Sequence, residues 1–315
     1  MDLGRAPQTE LGYDRRLFIL AMDHRGSLEK GLFAVSGSPS EAIVERILDV
    51  KRTIYDGFHL AIQSGVPTDS AGVLVDEQYG GAIAREATSR GETVAIAVEK
   101  SSTKELEFEY GDEFGAHLEA FGVPFAKVLV RYNPDEDSQC NARQAAKLMR
   151  LGAWLQSHGR KLLLEMIVPA TAAQLAAVGG DAYRYDVEVR PDLTYRAIEE
   201  LRAAGVETDV WKIEGLDRRD DCERIGALIR ADGRDHVGCV VLGRAADEAR
   251  VDHWLRQGAG VPGYIGFAIG RTLWWDAVKQ YIAGSIDRPS AVRSIATAYG
   301  RAADVYVDAA SRGYE

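Results

Sequence analysis

Eight short apolar runs rich in β-branched residues recur along the 315-residue chain, with helical segments between them. Runs of this kind are typical of parallel strands that are covered on both faces. They span residues 17–25, 71–78, 93–100, 125–132, 161–168, 208–215, 237–244 and 263–271. Because no linker rich in Pro, Gly or Ser interrupts this alternation, it predicts an α/β fold: one (β/α)₈ TIM barrel over residues 1–315, with residues 1–15 flexible. An open, doubly wound sheet is the structural alternative.

Capping and periodicity signals place helices between these runs. Ser38, followed by Pro39 at the first helical position, predicts a helix that runs to about Ser64. Asp217 is predicted to cap another helix, which ends before an Asp-Gly pair. Further helical patterns span residues 141–157, 192–203, 246–256 and 272–283. A periodic apolar segment at 289–310 follows the last strand and predicts an extra C-terminal helix.

The charge balance is acidic, with 38 Lys and Arg against 48 Asp and Glu and a net charge of −10. Nucleic acid and anionic membranes repel such a chain, so we expect neither as a partner. Three cysteines without CxxC spacing argue against a disulfide framework or a zinc site. No apolar run of signal-peptide or membrane-spanning length occurs, which predicts a cytoplasmic protein. The absence of glycine-rich phosphate loops and paired histidines predicts no cofactor and no metal.

Polar residues lie where the predicted strands end, and in barrels the active site forms at the carboxyl ends of the strands. From the first strand to the eighth, these polar residues, together with the glycines that precede the last two arginines, are Asp23, His24, Arg25, Glu77, Glu99, Lys127, Arg131, Glu165, Lys212, Glu214, Gly243, Arg244, Gly270 and Arg271. We therefore take this set as the candidate site.

Two of these strands carry a lysine within an otherwise buried pattern. Side chains alternate between the two faces of a strand, so Lys127 shares a face with Arg131, and Lys212 shares one with Glu214. If these faces point into the barrel, two ammonium groups meet the carboxylate of Glu165. In the opposite orientation, the lysines would lie under the helices and reach out to solvent.

Burial and a second cation both disfavour the charged form of an amine, whose pKa is otherwise about 10.4. A neutral lysine condenses with a ketone to an iminium, which withdraws electrons from the adjacent carbon–carbon bond. A nearby carboxylate such as Glu165 can then move protons. The two Gly-Arg pairs at 243–244 and 270–271, at the ends of consecutive strands, are suited to phosphate.

Several motifs carry a family resemblance. They are "FILAMDHRGS", "LVDEQYGG", "FAKVLVRYNPD", "DVWKIEGLDRRDDCE", "VVLGRAADEARVDHWL" and "GYIGFAIGRTLWWDAV". These motifs resemble the aldolase-like domain often fused behind 5-dehydro-2-deoxygluconokinase in inositol catabolism, over about residues 16 to 311. More distantly, the chain is similar to class I tagatose-bisphosphate and sulfofructose-phosphate aldolases, which are (β/α)₈ barrels.

The resemblance implies roles for individual residues. Lys212 falls on the lysine that forms the Schiff base, Lys127 on a second active-site lysine and Glu165 on the acid/base glutamate. It also places Asp23 and Arg25 at the polar end of the first strand, and Arg271 on a phosphate-binding arginine. The tagatose enzymes have a Ser-x-Gly type loop after strand 7, where this chain has Leu-Gly-Arg, so the group that grips the anion differs. Because no kinase is present in the sequence, a place in inositol catabolism follows from analogy alone.

The leading hypothesis is a class I aldolase for a phosphorylated keto-sugar or keto-sugar acid, with 6-phospho-5-dehydro-2-deoxygluconate as first candidate. In this hypothesis Arg244 and Arg271 hold the phosphate, and Arg25 or Arg131 pairs with the substrate carboxylate. A ketose phosphate or sulfosugar phosphate is an alternative substrate.

Two other functions stay open. One is metal-dependent aldol or isomerase chemistry at an oxygen-rich site made by Asp23, His24, Glu77 and Glu99. The other is a catalytically silent barrel that binds sugar phosphates. The sequence also leaves the oligomeric state open, with a homo-oligomer as one alternative.

Overall fold

The structure, a computed structural model, describes residues 10–312. Its eight parallel strands close into a barrel, and their order around the barrel is their order along the chain. The strands are β1 (Leu17–Ala21), β2 (Ala71–Asp76), β3 (Thr93–Ala97), β4 (Phe125–Arg131), β5 (Lys161–Ile167), β6 (Val210–Glu214), β7 (Gly238–Leu242) and β8 (Tyr264–Ile269). Every neighbouring pair is parallel, and β1 pairs with both β2 and β8. The predicted (β/α)₈ barrel is therefore confirmed, and the open sheet is wrong.

Helices lie between the strands and cover the outside of the barrel. They are α1 (Gly26–Phe33), α2 (Glu41–Gln63), α3 (Glu77–Ser89), α4 (Phe114–Phe121), α5 (Ser138–Ser157), α6 (Ala172–Ala177), α7 (Ala182–Arg184), α8 (Arg190–Ala203), α9 (Arg219–Arg230), α10 (Glu248–Gly258), α11 (Arg271–Ile282) and α12 (Arg288–Arg312). A π-helical turn, Tyr185–Val189, joins α7 to α8. No helix within residues 10–312 is long and apolar enough to cross a membrane.

Two predicted helix caps are wrong by one or two residues. Helix α2 is capped by Ser40 rather than Ser38, because Ser40 has extended backbone angles and its hydroxyl accepts a hydrogen bond from the Ile43 amide. Helix α9 has Arg218 at its cap position. Asp217 does not cap it, because its carboxylate accepts a hydrogen bond from Arg250 at 2.9 Å instead.

The barrel interior below the strand ends is apolar. Its core includes Leu17, Phe125, Leu163 and Val210, with Tyr13 packed against it. Of the amino-terminal segment that was expected to be flexible, residues 1–9 lie outside the described part of the chain. Within residues 10–15, the Gly12 amide donates to Asp209 at 2.8 Å, and Tyr13 meets Phe125 edge-on at 5.2 Å between ring centroids.

The predicted extra C-terminal helix is confirmed as α12, which has 25 residues and packs against α2, α10 and α11. Two of its tyrosines reach the backbone of the barrel. Tyr299 donates to the Phe18 carbonyl on β1, and Tyr306 donates to the Tyr264 carbonyl on β8, each at 2.7 Å. The helix therefore ties the first strand to the last.

Candidate active site

The strand register brings the two lysines and the glutamate together inside the barrel. Lys127 follows Phe125 at a spacing of two, and Glu165 and Lys212 follow the inward-facing Leu163 and Val210 in the same way. Glu165 is the direct register partner of Lys212 in the β5–β6 pair. All three side chains are buried, with Lys212 only 2% exposed. The inward orientation expected from the sequence is the one that the structure has.

Five side chains form a lysine–carboxylate cluster: Asp23, Glu99, Lys127, Glu165 and Lys212. The Nζ atom of Lys127 lies 2.7 Å from Asp23 Oδ2, 2.6 Å from Glu99 Oε1 and 2.9 Å from Glu165 Oε2. The Nζ atom of Lys212 lies 3.0 Å from that same Glu165 oxygen. Lys127 is therefore held by three carboxylates, whereas Lys212 shares its carboxylate with Lys127.

The cluster sets the charge states of its members. Burial alone would lower the pKa of Lys127, but Asp23, Glu165 and Glu99 raise it well above its ordinary value. Burial would raise the pKa values of Asp23 and Glu165, but the ammonium groups of Lys127 and Lys212 lower both. Lys127 consequently stays an ammonium ion, and Glu165 stays a carboxylate.

A cavity of about 290 Å³ opens over the cluster at the carboxyl ends of the strands. Besides the cluster, residues from the loop after β3 line it, including Ser101, Ser102 and Lys104. Arg131, Arg244 and Arg271 contribute to other parts of the wall. Such a cavity suits a small anionic molecule.

Two of the candidates that follow β1, Arg25 and His24, have contacts that differ from those expected. Arg25 is buried and donates to the Glu99 backbone carbonyl at 2.6 Å and to Glu109 Oε2 at 2.9 Å. Because its guanidinium is engaged by the chain, Arg25 connects the start of α1 to the segment after β3. His24 packs edge-on against Trp274, and burial lowers the pKa of His24 to about 4, so its ring is neutral at pH 7.

Two strand-end glutamates lie outside the cavity. Glu77 is the first residue of α3, so its side chain leaves the strand, and it contacts the Nδ1 atom of His117 at 2.8 Å. Glu214 accepts a hydrogen bond from the Val168 amide at 3.0 Å and pairs with Arg244 Nε at 2.9 Å. The oxygen-rich metal site that would have used Glu77 is not assembled. Among residues 10–312, no group of three or more His, Cys, Asp or Glu side chains is placed to hold a metal ion.

The two Gly-Arg pairs lie side by side at the ends of β7 and β8. A side chain at Gly243 would approach Ile269 to 2.9 Å, and one at Gly270 would approach the Ala21 carbonyl oxygen to 2.6 Å, so both positions require glycine. Arg271 begins α11, and the N-terminal end of a helix favours a bound anion. Within the described residues, Arg271 forms no ion pair, so its guanidinium is available to a ligand.

The other two arginines on the cavity wall are partly engaged. Arg244 and the following Ala245 have left-handed backbone angles (φ 49° and 54°), which non-glycine residues adopt at a cost. The Arg244 guanidinium is held by Asp186 and Glu214. Arg131 donates to the Thr103 carbonyl at 3.0 Å and is exposed.

Sequence reasoning missed two parts of the site. One is the loop "KSSTK", residues 100–104, which lines the cavity with hydroxyl groups and amines. Its lysine, serine and threonine residues at the end of a predicted strand were the signal that could have identified it. The other is Asp186 in the π-helical turn, which holds Arg244 and carried no signal of its own.

Comparisons with known proteins agree with this fold. No curated protein matches the sequence. The structure is similar to that of fructose-bisphosphate aldolase from Plasmodium falciparum, solved in a ternary complex with TRAP and a small-molecule inhibitor. That likeness has a TM-score of 0.63 at 13% sequence identity, covers 91% of this chain and 89% of the other, and shows that the two share the barrel.

A sequence family described as "Uncharacterized protein conserved in bacteria (DUF2090)" matches residues 5–310. Since this match covers nearly the whole chain, the protein belongs to the DUF2090 family.

Proposed function

We propose that this protein is a class I aldolase in which Lys212 forms a Schiff base with a keto-sugar phosphate. The observation that carries the proposal is the shared oxygen of Glu165, which lies 3.0 Å from Lys212 Nζ and 2.9 Å from Lys127 Nζ beside the cavity. A lysine, a carboxylate and a second, permanently charged lysine are the groups that imine chemistry needs. The family resemblance of the sequence motifs supports the same assignment.

Lys212, Glu165 and Lys127 each have a different role in the proposed reaction. Glu165 takes a proton from Lys212, and the freed amine attacks the ketone carbon of the substrate. Loss of water gives an iminium, which draws the electron pair of the adjacent carbon–carbon bond as that bond breaks. The ammonium of Lys127 stabilises negative charge on the substrate oxygens, and Asp23 holds Lys127 in place from 2.7 Å.

We infer a substrate with an anionic group at each end. Arg271, the amides at the start of α11 and the close-packed Gly243 and Gly270 would hold the phosphate. Arg131, at another part of the cavity wall, is our candidate for holding a substrate carboxylate, because Arg25 is already paired.

The best candidate substrate is 6-phospho-5-dehydro-2-deoxygluconate. Lys212 would attack its C5 ketone, and cleavage of the C3–C4 bond would release malonate semialdehyde. An enamine of dihydroxyacetone phosphate would stay on the enzyme and then be protonated and hydrolysed. This reaction would place the enzyme in inositol catabolism.

Borohydride trapping tests the proposal. The protein is incubated with dihydroxyacetone phosphate and sodium borohydride, digested and examined by mass spectrometry. We expect the mass of the reduced adduct on Lys212 in the wild type and no adduct in Lys212→Ala. Lys279→Ala, which removes an exposed lysine of α11, is the matched control and should be modified like the wild type. An unmodified Lys212 in the wild type would overturn the proposed function.

A further inference from the structure

Two glutamates share the ammonium group of Lys127, but their surroundings differ. Glu165 contacts both lysines through one oxygen, at 2.9 and 3.0 Å. Of the two lysines, Glu99 contacts only Lys127, through Oε1 at 2.6 Å. Its second oxygen, Oε2, is buried and has no hydrogen-bond partner in the described part of the chain. A buried carboxylate oxygen without a partner is costly, whereas a protonated one can donate to a bound ligand.

The neighbours of Glu99 favour its protonated form. Burial raises the pKa of Glu99, Lys127 lowers it, and the nearby negative charge of Asp23 raises it again, with a net rise above the ordinary value. Arg25, whose guanidinium donates to the Glu99 backbone carbonyl and lies 3.9 Å from Oε1, also lowers the pKa of Glu99, but the net direction is still a rise. The site therefore contains two carboxyl groups whose pKa values are shifted in opposite directions, that of Glu165 down and that of Glu99 up, the arrangement that assigns a base and an acid.

We propose that Glu99 is a second catalytic carboxyl, which carries a proton on Oε2 and delivers it to the enamine carbon after carbon–carbon cleavage. This inference rests on the proposed function, because only a Schiff-base mechanism leaves an enamine to be protonated. Glu99 lines the cavity together with Lys212 and Glu165, so all three groups can reach one bound substrate.

The proton that Glu165 gains and the proton that Glu99 loses are exchanged through Lys127. During cleavage, Glu165 takes the proton of the substrate hydroxyl, and the electron pair of the broken bond forms the carbon–carbon double bond of the enamine. In the next step, that electron pair takes the proton from Glu99, and the nitrogen lone pair restores the iminium for hydrolysis. Glu165 has then gained a proton and Glu99 has lost one. Lys127, 2.9 Å from Glu165 and 2.6 Å from Glu99, returns the proton by accepting one as it donates another.

Hydrogen exchange into dihydroxyacetone phosphate isolates this step. In D₂O, an enzyme that forms the enamine and protonates it again replaces one carbon-bound hydrogen with deuterium, which ¹H NMR detects. We expect Glu99→Gln to slow this exchange by about 10²- to 10⁴-fold, the usual contribution of an acid/base group. Borohydride trapping on Lys212 should persist in this variant, because imine formation uses Glu165. Glu99→Asp, which restores an acid, should recover part of the exchange.

The matched control is Glu107→Gln, an exposed glutamate in the loop after β3 that pairs with Lys100 at 3.6 Å, and its exchange should equal that of the wild type. Wild-type exchange in Glu99→Gln would overturn the role of Glu99 and leave the proposed function standing. Loss of trapping together with exchange in Glu99→Gln would assign Glu99 to imine formation and also overturn the inference. A wild type that cannot be trapped would instead refute the Schiff-base function itself.

Discussion

Two fully buried lysines, Lys51 and Lys212, show how differently the same side chain can be used in one barrel. Lys51 extends from α2, outside the strands, and its Nζ atom donates to the Met22 carbonyl, to the His24 carbonyl at 3.0 Å and to Asp76. All three of its hydrogens are used. Lys212 lies inside the barrel, has the shared Glu165 oxygen at 3.0 Å and lines the cavity.

The difference separates a structural ion pair from a reactive amine. Lys51 and Asp76 neutralise each other, and Asp76 also caps α3 by accepting from the Tyr79 amide at 2.7 Å. Removing either partner leaves a buried charge alone. Around Lys212, the partner oxygen is already held by Lys127, so Glu165 keeps a counter-ion when Lys212 changes.

The largest expected effect is on catalysis, in Lys212→Ala. We expect loss of cleavage on the order of 10⁶-fold, as when a covalent nucleophile is removed from other enzymes. The unfolding midpoint in urea should stay close to that of the wild type. A cleavage assay across ketose phosphates, with and without a terminal carboxylate, measures the first effect. Cleavage by the variant at a rate near that of the wild type would place the nucleophile elsewhere.

The second effect is on stability, in Lys51→Met. Because Asp76 loses its buried partner, the free energy of unfolding should fall by about 3–5 kcal/mol, while trapping on Lys212 persists in the folded fraction. Urea denaturation followed by circular dichroism gives the value. The double variant Lys51→Met/Asp76→Asn should recover part of the loss. If Lys51→Met instead abolished trapping and left stability intact, the division between the two lysines would be wrong.

The smallest effect concerns His24, which lies between the two lysine sites. Its pKa is lowered to about 4, with burial as the largest cause; Asp23 opposes this fall, and the charges of Lys51 and Arg271 contribute to it. In Lys51→Met one of these positive charges is gone, so the His24 pKa should rise, but only slightly because burial remains. An NMR titration of the imidazole resonances reads this shift directly. A fall in the pKa of His24 would contradict the charge arrangement.

The barrel and the centre of its site were predictable because they depend on local rules. The eight apolar runs define the strands, and the two-residue repeat along a strand places Lys127, Glu165 and Lys212 on the inner face. Spacing along a strand is fixed by the backbone, so these predictions needed no knowledge of distant residues.

The remaining roles depend on partners that the sequence does not bring together. Arg25 resembled a substrate ligand, but Glu109, 84 residues away, engages it. Glu77 leaves the site because a helix starts at that residue, which ends the two-residue alternation. Lys51 passed unnoticed within the helical pattern of α2, since nothing local shows that its position is covered.

The contacts of Tyr299 and Tyr306 with β1 and β8 bear on how the molecule is made. Both hydroxyl groups belong to the last helix. They donate hydrogen bonds to backbone carbonyls of β1 and β8, the first and last strands, which pair with each other to close the barrel. Because α12 is synthesised after all eight strands, the two hydrogen bonds cannot form until the rest of the barrel has been made. During synthesis, β1 and β8 therefore lack this support.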